Sequence, residues 1–530
     1  MLGGSVLAGC SADEAKDSNK DDPVLSAEAV ASTDKYRNFY QIFVYSFCDS
    51  NDDGIGDLQG IISQLDYLND GDPNGGNDLG IDALWLTPIM PSESYHKYSV
   101  EDYYNIDPDF GTLDDLDALV EECHKRGINI IMDLVLNHIS YRNPLFLNAC
   151  SEVEQGKLDG DAAYFEFHED GYYSPDVNTI SVGDYYCEAN FSETMPEWNL
   201  SSDKTREEFE KIAKFWLDRG IDGFRLDACK YFSNKHTDGV EFLKWFTDTC
   251  RSIKEDVYLV GEEWDADSFI EELYTSGIDS LFAFRFAMST GDIVDTINTQ
   301  KGSSFVKKLV SYENKMREAN PDFINAMFLS NHDQVRIANA LAGRGADYER
   351  FAANLYMLAP GNSFTYYGEE IGMTAAETTG DAYYRLPMVF DSENLQDMIT
   401  PGAASGYEAP ENGGVKQQLE DENSLLNYYR RLIKVKLQNP EIARGHITTQ
   451  QDFGEKEIGA YIVEYNGSKL LIIHNFSNSE AKELAITNDI LSNAQIRAEL
   501  ISLTDGSHAA LQDGKLTLPS HSSVILKSAE

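Results

Sequence analysis

Asp222-Gly-Phe-Arg-Leu-Asp-Ala-Cys-Lys230 decides the fold. From Ile221 it reads as a short apolar strand that delivers a carboxylate, Asp227, at its carboxyl end. Two other stretches share this form: Val257-Tyr-Leu-Val-Gly-Glu-Glu-Trp264 ends on Glu262, and Phe323-Ile-Asn-Ala-Met-Phe-Leu-Ser-Asn-His-Asp333 ends on Asp333. Carboxylates carried by the ends of separate strands meet at one end of a parallel barrel, where such folds place their chemistry. A carboxylate pair is the minimum equipment for cleaving a glycosidic bond.

Outward from these stretches, apolar runs alternate with amphipathic ones from Phe39 to about residue 445. Strand candidates are 39–47, 81–89, 128–136, 221–227, 257–262, 278–286, 323–330 and 363–368, the number that a closed (β/α)8 TIM barrel needs. Helical spacing is clear at 113–126, 205–219 and 423–437, with Asp203 expected to cap the second. The connection after the third strand is far longer than an ordinary βα loop, which predicts a small inserted domain at 139–200. After about residue 445 the pattern becomes alternating strands broken by Asn-Gly and Asp-Gly turns, predicting a carboxyl-terminal antiparallel β-sandwich over 446–530. The barrel is thus expected to comprise 35–138 and 201–445.

The 530 residues include 90 acidic and 42 basic side chains, a formal charge of −48. That charge repels nucleic acids and anionic lipid surfaces, so neither is an expected partner. Leu7-Ala8-Gly9-Cys10 resembles a bacterial lipobox, and a polar, acidic stretch to residue 34 reads as a tether. The expectation is a cell-surface lipoprotein touching the membrane only through an N-terminal lipid, or a secreted protein if the lipobox is not used. Seven cysteines lack CxxC spacing, so zinc is not indicated. Whether Cys150 and Cys187 pair is left open by spacing, and oligomeric state is not legible.

Asp133-Leu-Val-Leu-Asn-His138 completes a set of four blocks with GFRLDACK, GEEW and NHD, in that order. Together they resemble the α-amylase family, glycoside hydrolase family 13, and within it bacterial surface α-amylases and the intermediary group between oligo-1,6-glucosidases and neopullulanases. The resemblance implies that Asp227 is the nucleophile, Glu262 the acid and base, and Asp333 the carboxylate that orients the sugar. It implies that His138 and His332 hydrogen-bond that sugar, that Tyr98 lies beneath it, and that Lys230 serves the leaving-group side. Arg225, two residues before the nucleophile on the same strand face, is placed to keep Asp227 ionised. Glu263 is the rival acid, but alternation sends it to the opposite face.

Asp49-Ser-Asn51-Asp-Asp53-Gly-Ile55-Gly-Asp57 alternates oxygen donors around a glycine turn. It resembles the family's calcium loop, which implies Ca2+ held by Asp49, Asn51, Asp53, the carbonyl of Ile55 and Asp57. A second family calcium site would use Asn137 and a histidine after the lysine. Tyr231 stands there instead, which leaves that site open.

Met195-Pro-Glu-Trp-Asn199 departs from the family's MPDLN block, so it carries no claim about linkage. Exo-acting α-glucosidases of the family pair an Asp after the platform tyrosine with an eighth-loop arginine. Here Arg385 is present, but the partner position is Ser99. The resulting expectation is endo cleavage of α-1,4-glucan, meaning starch, maltodextrin or glycogen-like polymers. The alternatives are an α-glucosidase, neopullulanase or 4-α-glucanotransferase on the same scaffold, and a non-catalytic starch-binding protein.

Overall fold

The computed structural model describes residues 32–529 except 73–75, 77, 170–171, 173–176, 233–235, 343, 376, 378 and 402–408. The lipobox reading, and most of the tether reading, lie outside the described residues. No helix among the described residues is long and apolar enough to cross a membrane.

Eight parallel strands form the central sheet: β1 (Asn38–Ile42), β2 (Ala83–Leu86), β3 (Asn129–Leu134), β7 (Gly223–Leu226), β8 (Tyr258–Gly261), β9 (Ser280–Leu281), β10 (Ala326–Phe328) and β11 (Asn362–Tyr366). A parallel bridge between Phe282 and Ala326 joins the two ends, closing the barrel. Six of the strands fall inside their predicted runs, β1 and β11 begin one residue before theirs, and all eight are shorter than predicted. The apolar residues beyond the strand ends, such as Val44–Ser46 in a 3-10 turn, pack under loops rather than in the ladder.

Alternation along the strands creates two cores. Inward side chains, among them Phe39, Trp85, Ile131, Tyr258, Val260, Phe282 and Phe364, fill the lumen. Outward ones, such as Tyr40, Leu84, Phe224 and Leu259, pack against the helices. The same alternation sets the site. Asp133 pairs with Arg225, and Arg225 with Val260, across neighbouring strands. These inward positions therefore share one layer, and Asp227 and Glu262 stand one step above it.

Between β3 and the helix Asp203–Asp218 lie the helix Pro144–Glu154 and a small antiparallel sheet of β4 (Phe167–Glu169), β6 (Tyr185–Glu188) and β5 (Thr179–Val182), in that order. Ser202, not Asp203, is the N-cap residue of the following helix, so Asp203 contributes a first-turn negative charge instead. Cys150 and Cys187 are free thiols.

Beyond residue 445, β12 (His446–Gln450), β13 (Ile458–Tyr465), β14 (Ser468–Asn475), β19 (Ser522–Ser528) and β16 (Ala494–Ile501) form one antiparallel sheet. A second contains β15 (Lys482–Ala485), β18 (Lys515–Leu518) and β17 (Ala510–Gln512), with Ile473, Leu484, Leu516 and Leu526 buried between the two. Asn466 and Gly467 take φ of 50° and 81°, the paired positive values that a two-residue type I′ hairpin turn requires.

Candidate active site

Arg225 is the centre of the site. Its guanidinium, 1% exposed, donates from Nη1 to Asp227 Oδ1 at 2.6 Å and faces Glu262 Oε2 from Nη2 at 3.0 Å. Nη1 also contacts Asp133. One buried cation thus draws together carboxylates from three adjacent strands, and it acts on any substrate through them.

The backbone after Asp227 joins the two carboxyls. Ala228 is left-handed (φ 51°), which costs a non-glycine residue roughly 1–2 kcal/mol. The turn lets Ala228 N–H donate to Glu262 Oε2 at 3.0 Å and Cys229 N–H to the Glu262 carbonyl at 2.9 Å. Burial is the largest influence on Glu262. Arg225 opposes it, and the charges of Asp227 and Asp333 reinforce it, leaving the carboxyl at about 7. Burial also raises Asp227, against which Arg225 pulls directly. Glu263 lies on the other face, fully buried, with neither oxygen hydrogen-bonded among the described residues, and burial lifts it to about 8.

Asp333 has the opposite balance. Burial would raise it, but His332, Arg385 and Arg225 outweigh that and bring it to about 2. Arg385 Nη2 donates to Asp333 Oδ1 at 2.6 Å, Nε to the His332 carbonyl at 2.9 Å and Nη1 to Tyr95 Oη at 2.9 Å. Asp381 adds a second carboxylate at 3.3 Å. Arg385 is therefore 4% exposed and committed to the Asp333 turn, while Ser99 is buried.

His332 is held as one tautomer. Gln41 Nε2 donates to its Nδ1 at 2.7 Å, so Nε2 carries the proton and donates to Tyr98 Oη at 2.6 Å. Tyr98 Oη donates in turn to Asp133 at 3.2 Å, and Trp85 Nε1 does so at 2.9 Å. Burial keeps His332 neutral, at about 3, and does the same to His138, at about 4. Tyr98 stacks on His332 with ring centroids 5.5 Å apart. It is aimed by its neighbour Lys97, left-handed at φ 64° and buried in ion pairs with Asp107 and Asp109, each 2.9 Å. His138 Nε2 is buried without a hydrogen-bond partner among the described residues. Lys230 lies further out, exposed and paired with Asp265 at 2.8 Å.

Residue-by-residue reading of the sequence missed Asp133, Gln41, Trp85, Tyr95 and Lys97 as members of this network. Asp133 had a signal: it shares the inward face of β3 with Ile131, and a buried carboxylate needs a cation.

The 49–57 loop is folded on its own side chains. Asp49 accepts from the N–H groups of Asn51, Asp52 and Gly54, Asn51 from that of Asp53, and Asp53 from that of Ile55. Gly54 has φ 90°, and Ile399 lies against it, donating its N–H to the Gly54 carbonyl at 2.7 Å. Asp49, Asp52, Asp53 and residues 396–399 line a cavity of about 530 Å³. Asp57 does not line that cavity; it caps the helix Leu58–Ser63 through Gly60 N and accepts from Ser50 N. The donors are hard oxygens suited to calcium. Among the described residues, no group of three or more His, Cys, Asp and Glu side chains is arranged to hold a metal ion.

A parallel eight-stranded barrel with three carboxyls at the carboxyl ends of its strands has the equipment of a glycoside hydrolase of the TIM-barrel class. The chain belongs to the alpha-amylase family: the family's catalytic-domain model matches residues 41–445, and the SusG C-terminal domain model matches 458–525. It is 35% identical to Alpha-amylase 3 of Dictyoglomus thermophilum over 93% of each chain. It is 28% identical to Alpha-amylase SusG of Bacteroides thetaiotaomicron, over 92% of this chain and 90% of that one. The solved structure of Eubacterium rectale Amy13B superposes with a TM-score of 0.88 at 36% identity, covering 95% of this chain and 97% of that one.

Proposed function

We propose that the protein is a retaining, endo-acting α-amylase that cleaves internal α-1,4 bonds of starch-like glucans. One observation carries this reading: Asp227 and Glu262 share the guanidinium of Arg225. Asp227 attacks the anomeric carbon while Glu262, protonated up to about pH 7, gives its proton to the departing oxygen. Glu262 then takes a proton from water, which attacks the same carbon and releases Asp227. A pair that performs this double displacement stands about 5–5.5 Å apart. Asp333, ionised throughout, stabilises the positive charge of the transition state and orients the sugar with His138, His332 and Tyr98. The division into barrel (35–138 and 201–445), inserted domain (139–200) and C-terminal domain (446–530) goes with this reading.

The Arg385 contacts support endo action. Without a carboxylate at position 99, its charge serves Asp333 and Asp381 rather than a clamp on a terminal sugar. Calcium, when bound by Asp49, Asn51, Asp53, Ile55 and Asp57, supplies a hard cation that cross-links the loop. A surface location is supported by the lipobox-like Cys10. Digestion of amylose tests the function. Mixed maltooligosaccharides with an early fall in viscosity are expected, and glucose alone without that fall would overturn endo action.

A further inference from the structure

Residues 92–100 form a loop beyond the carboxyl end of β2 that touches both arginine centres of the site. An antiparallel bridge between Ser92 and Val100 closes its base. Within the loop, Tyr95 Oη accepts from Arg385 Nη1 at 2.9 Å. Tyr98 Oη accepts from His332 Nε2 at 2.6 Å and from Arg225 Nη1 at 3.4 Å, and donates to Asp133 at 3.2 Å. With one proton and two lone pairs, that hydroxyl is fully used. The loop therefore bridges the arginine that holds Asp333 and the arginine that holds Asp227 and Glu262.

Lys97 lies between the two tyrosines, and two features set it apart. Its backbone is left-handed, at φ 64°, where crowding of the β-carbon disfavours every residue but glycine. Its side chain is buried yet charged: Nζ meets Asp107 and Asp109 at 2.9 Å each and stands 5.2 Å from the centre of the Phe110 ring. Asp107 is buried too and accepts from Ser92 N–H at 3.0 Å, so one carboxylate grips the loop at its base and at Lys97. Glycine would serve if only the turn were needed. A lysine persists in this conformation where its contacts hold it there, and outliers so held gather at functional sites.

Building on the hydrolase reading above, we propose that Lys97 is a positioning residue whose ion pair with Asp107 braces the 92–100 loop and so fixes Tyr98 between the two arginine centres. Lys97 acts on the reaction through Tyr98. If the brace is cut, the turn at 97 relaxes and Tyr98 shifts, and with it the bonds to His332, Asp133 and Arg225. These groups set where Asp333 stands relative to Asp227 and Glu262, a relation that matters most at the transition state. The loss therefore falls on kcat more than on KM. Asp107 is the partner that counts, because its side chain is 5% exposed and that of Asp109 is 47% exposed and screened by water.

Kinetics on maltoheptaose test the brace. Lys97→Met is expected to lower kcat about 10²-fold, the cost of a misplaced group, while KM changes by less than about threefold. Asp107→Asn should reproduce that pattern. In a Tyr98→Ala background the same Lys97→Met change should cost less than about tenfold, because the residue it aims is gone. Lys97→Gly takes the left-handed turn freely without the ion pairs and should still lose kcat; it carries the same measurements if Lys97→Met does not fold. Parental kcat in Lys97→Gly, a loss confined to KM, or an equal loss with and without Tyr98 would overturn the brace. A parent protein inert on maltoheptaose would overturn the hydrolase reading itself.

Discussion

Arg385 and Asp333 meet at 2.6 Å, and the same guanidinium holds the carbonyl of His332, the residue before. Arginine here fixes a turn as well as a charge. Arg385→Ala is expected to release Asp333 from the low value near 2, raising its pKa toward the acidic edge of activity. The kcat/KM should fall by about 10²-fold, consistent with the loss of one preorganised charge. Its acid limb should move to higher pH. A pH–rate profile of parent and variant measures both.

The second prediction concerns the alkaline limb. Glu262 must carry a proton to act as an acid, and its pKa is raised to about 7. Activity is therefore sustained below that value and declines as pH rises through it, with kcat/KM dropping about tenfold per unit beyond. Glu262→Gln should lose about 10²- to 10⁴-fold on polymer and abolish this limb in the residual rate. Reducing-sugar release between pH 4 and pH 9 reads the outcome (~5 units spanning the carboxylate and histidine ranges).

Removal of Arg225 should threaten the fold itself. Its loss leaves Asp133, Asp227 and Glu262 as unpaired buried acids, and breaking such a cluster costs about 3–5 kcal/mol. Arg225→Met should melt at a markedly lower temperature. The deficit should shrink as pH falls, because protonation of the three carboxyls relieves their repulsion. Calorimetry at acid and alkaline pH checks the sign.

Calcium makes the fourth. Excess chelator should lower the melting temperature of the parent, whereas Asp53→Ala should already melt low and respond no further. An unshifted parent would mean that the Asx turns of residues 49–55 hold the loop by themselves.

Much of the site was legible because chemistry and alternation agree at Asp227, Glu262 and Asp333: each ends an apolar run whose inward positions are fixed by a period of two. All eight barrel strands were placed for the same reason. What stayed hidden depends on contacts between distant segments. Lys97 looks like a surface lysine until Asp107 and Asp109 enclose it, and Gln41 looks like an ordinary polar residue until His332 arrives from the seventh strand. Asp57 reads as one more oxygen in an acidic loop, and only the fold shows that it also caps the helix that starts at Leu58. Strand ends were read too long because apolar side chains also line the space beneath the loops.

The left-handed twist at Ala228 has a broader meaning for how such an enzyme can change. Attacker and proton donor are laced together by main-chain N–H groups, so their separation belongs to the scaffold and not to the choice of rotamer. Evolution or engineering can then reshape the surrounding loops, and with them the sugars accepted, while the reacting pair keeps its spacing. A β-branched residue at 228 would break that independence.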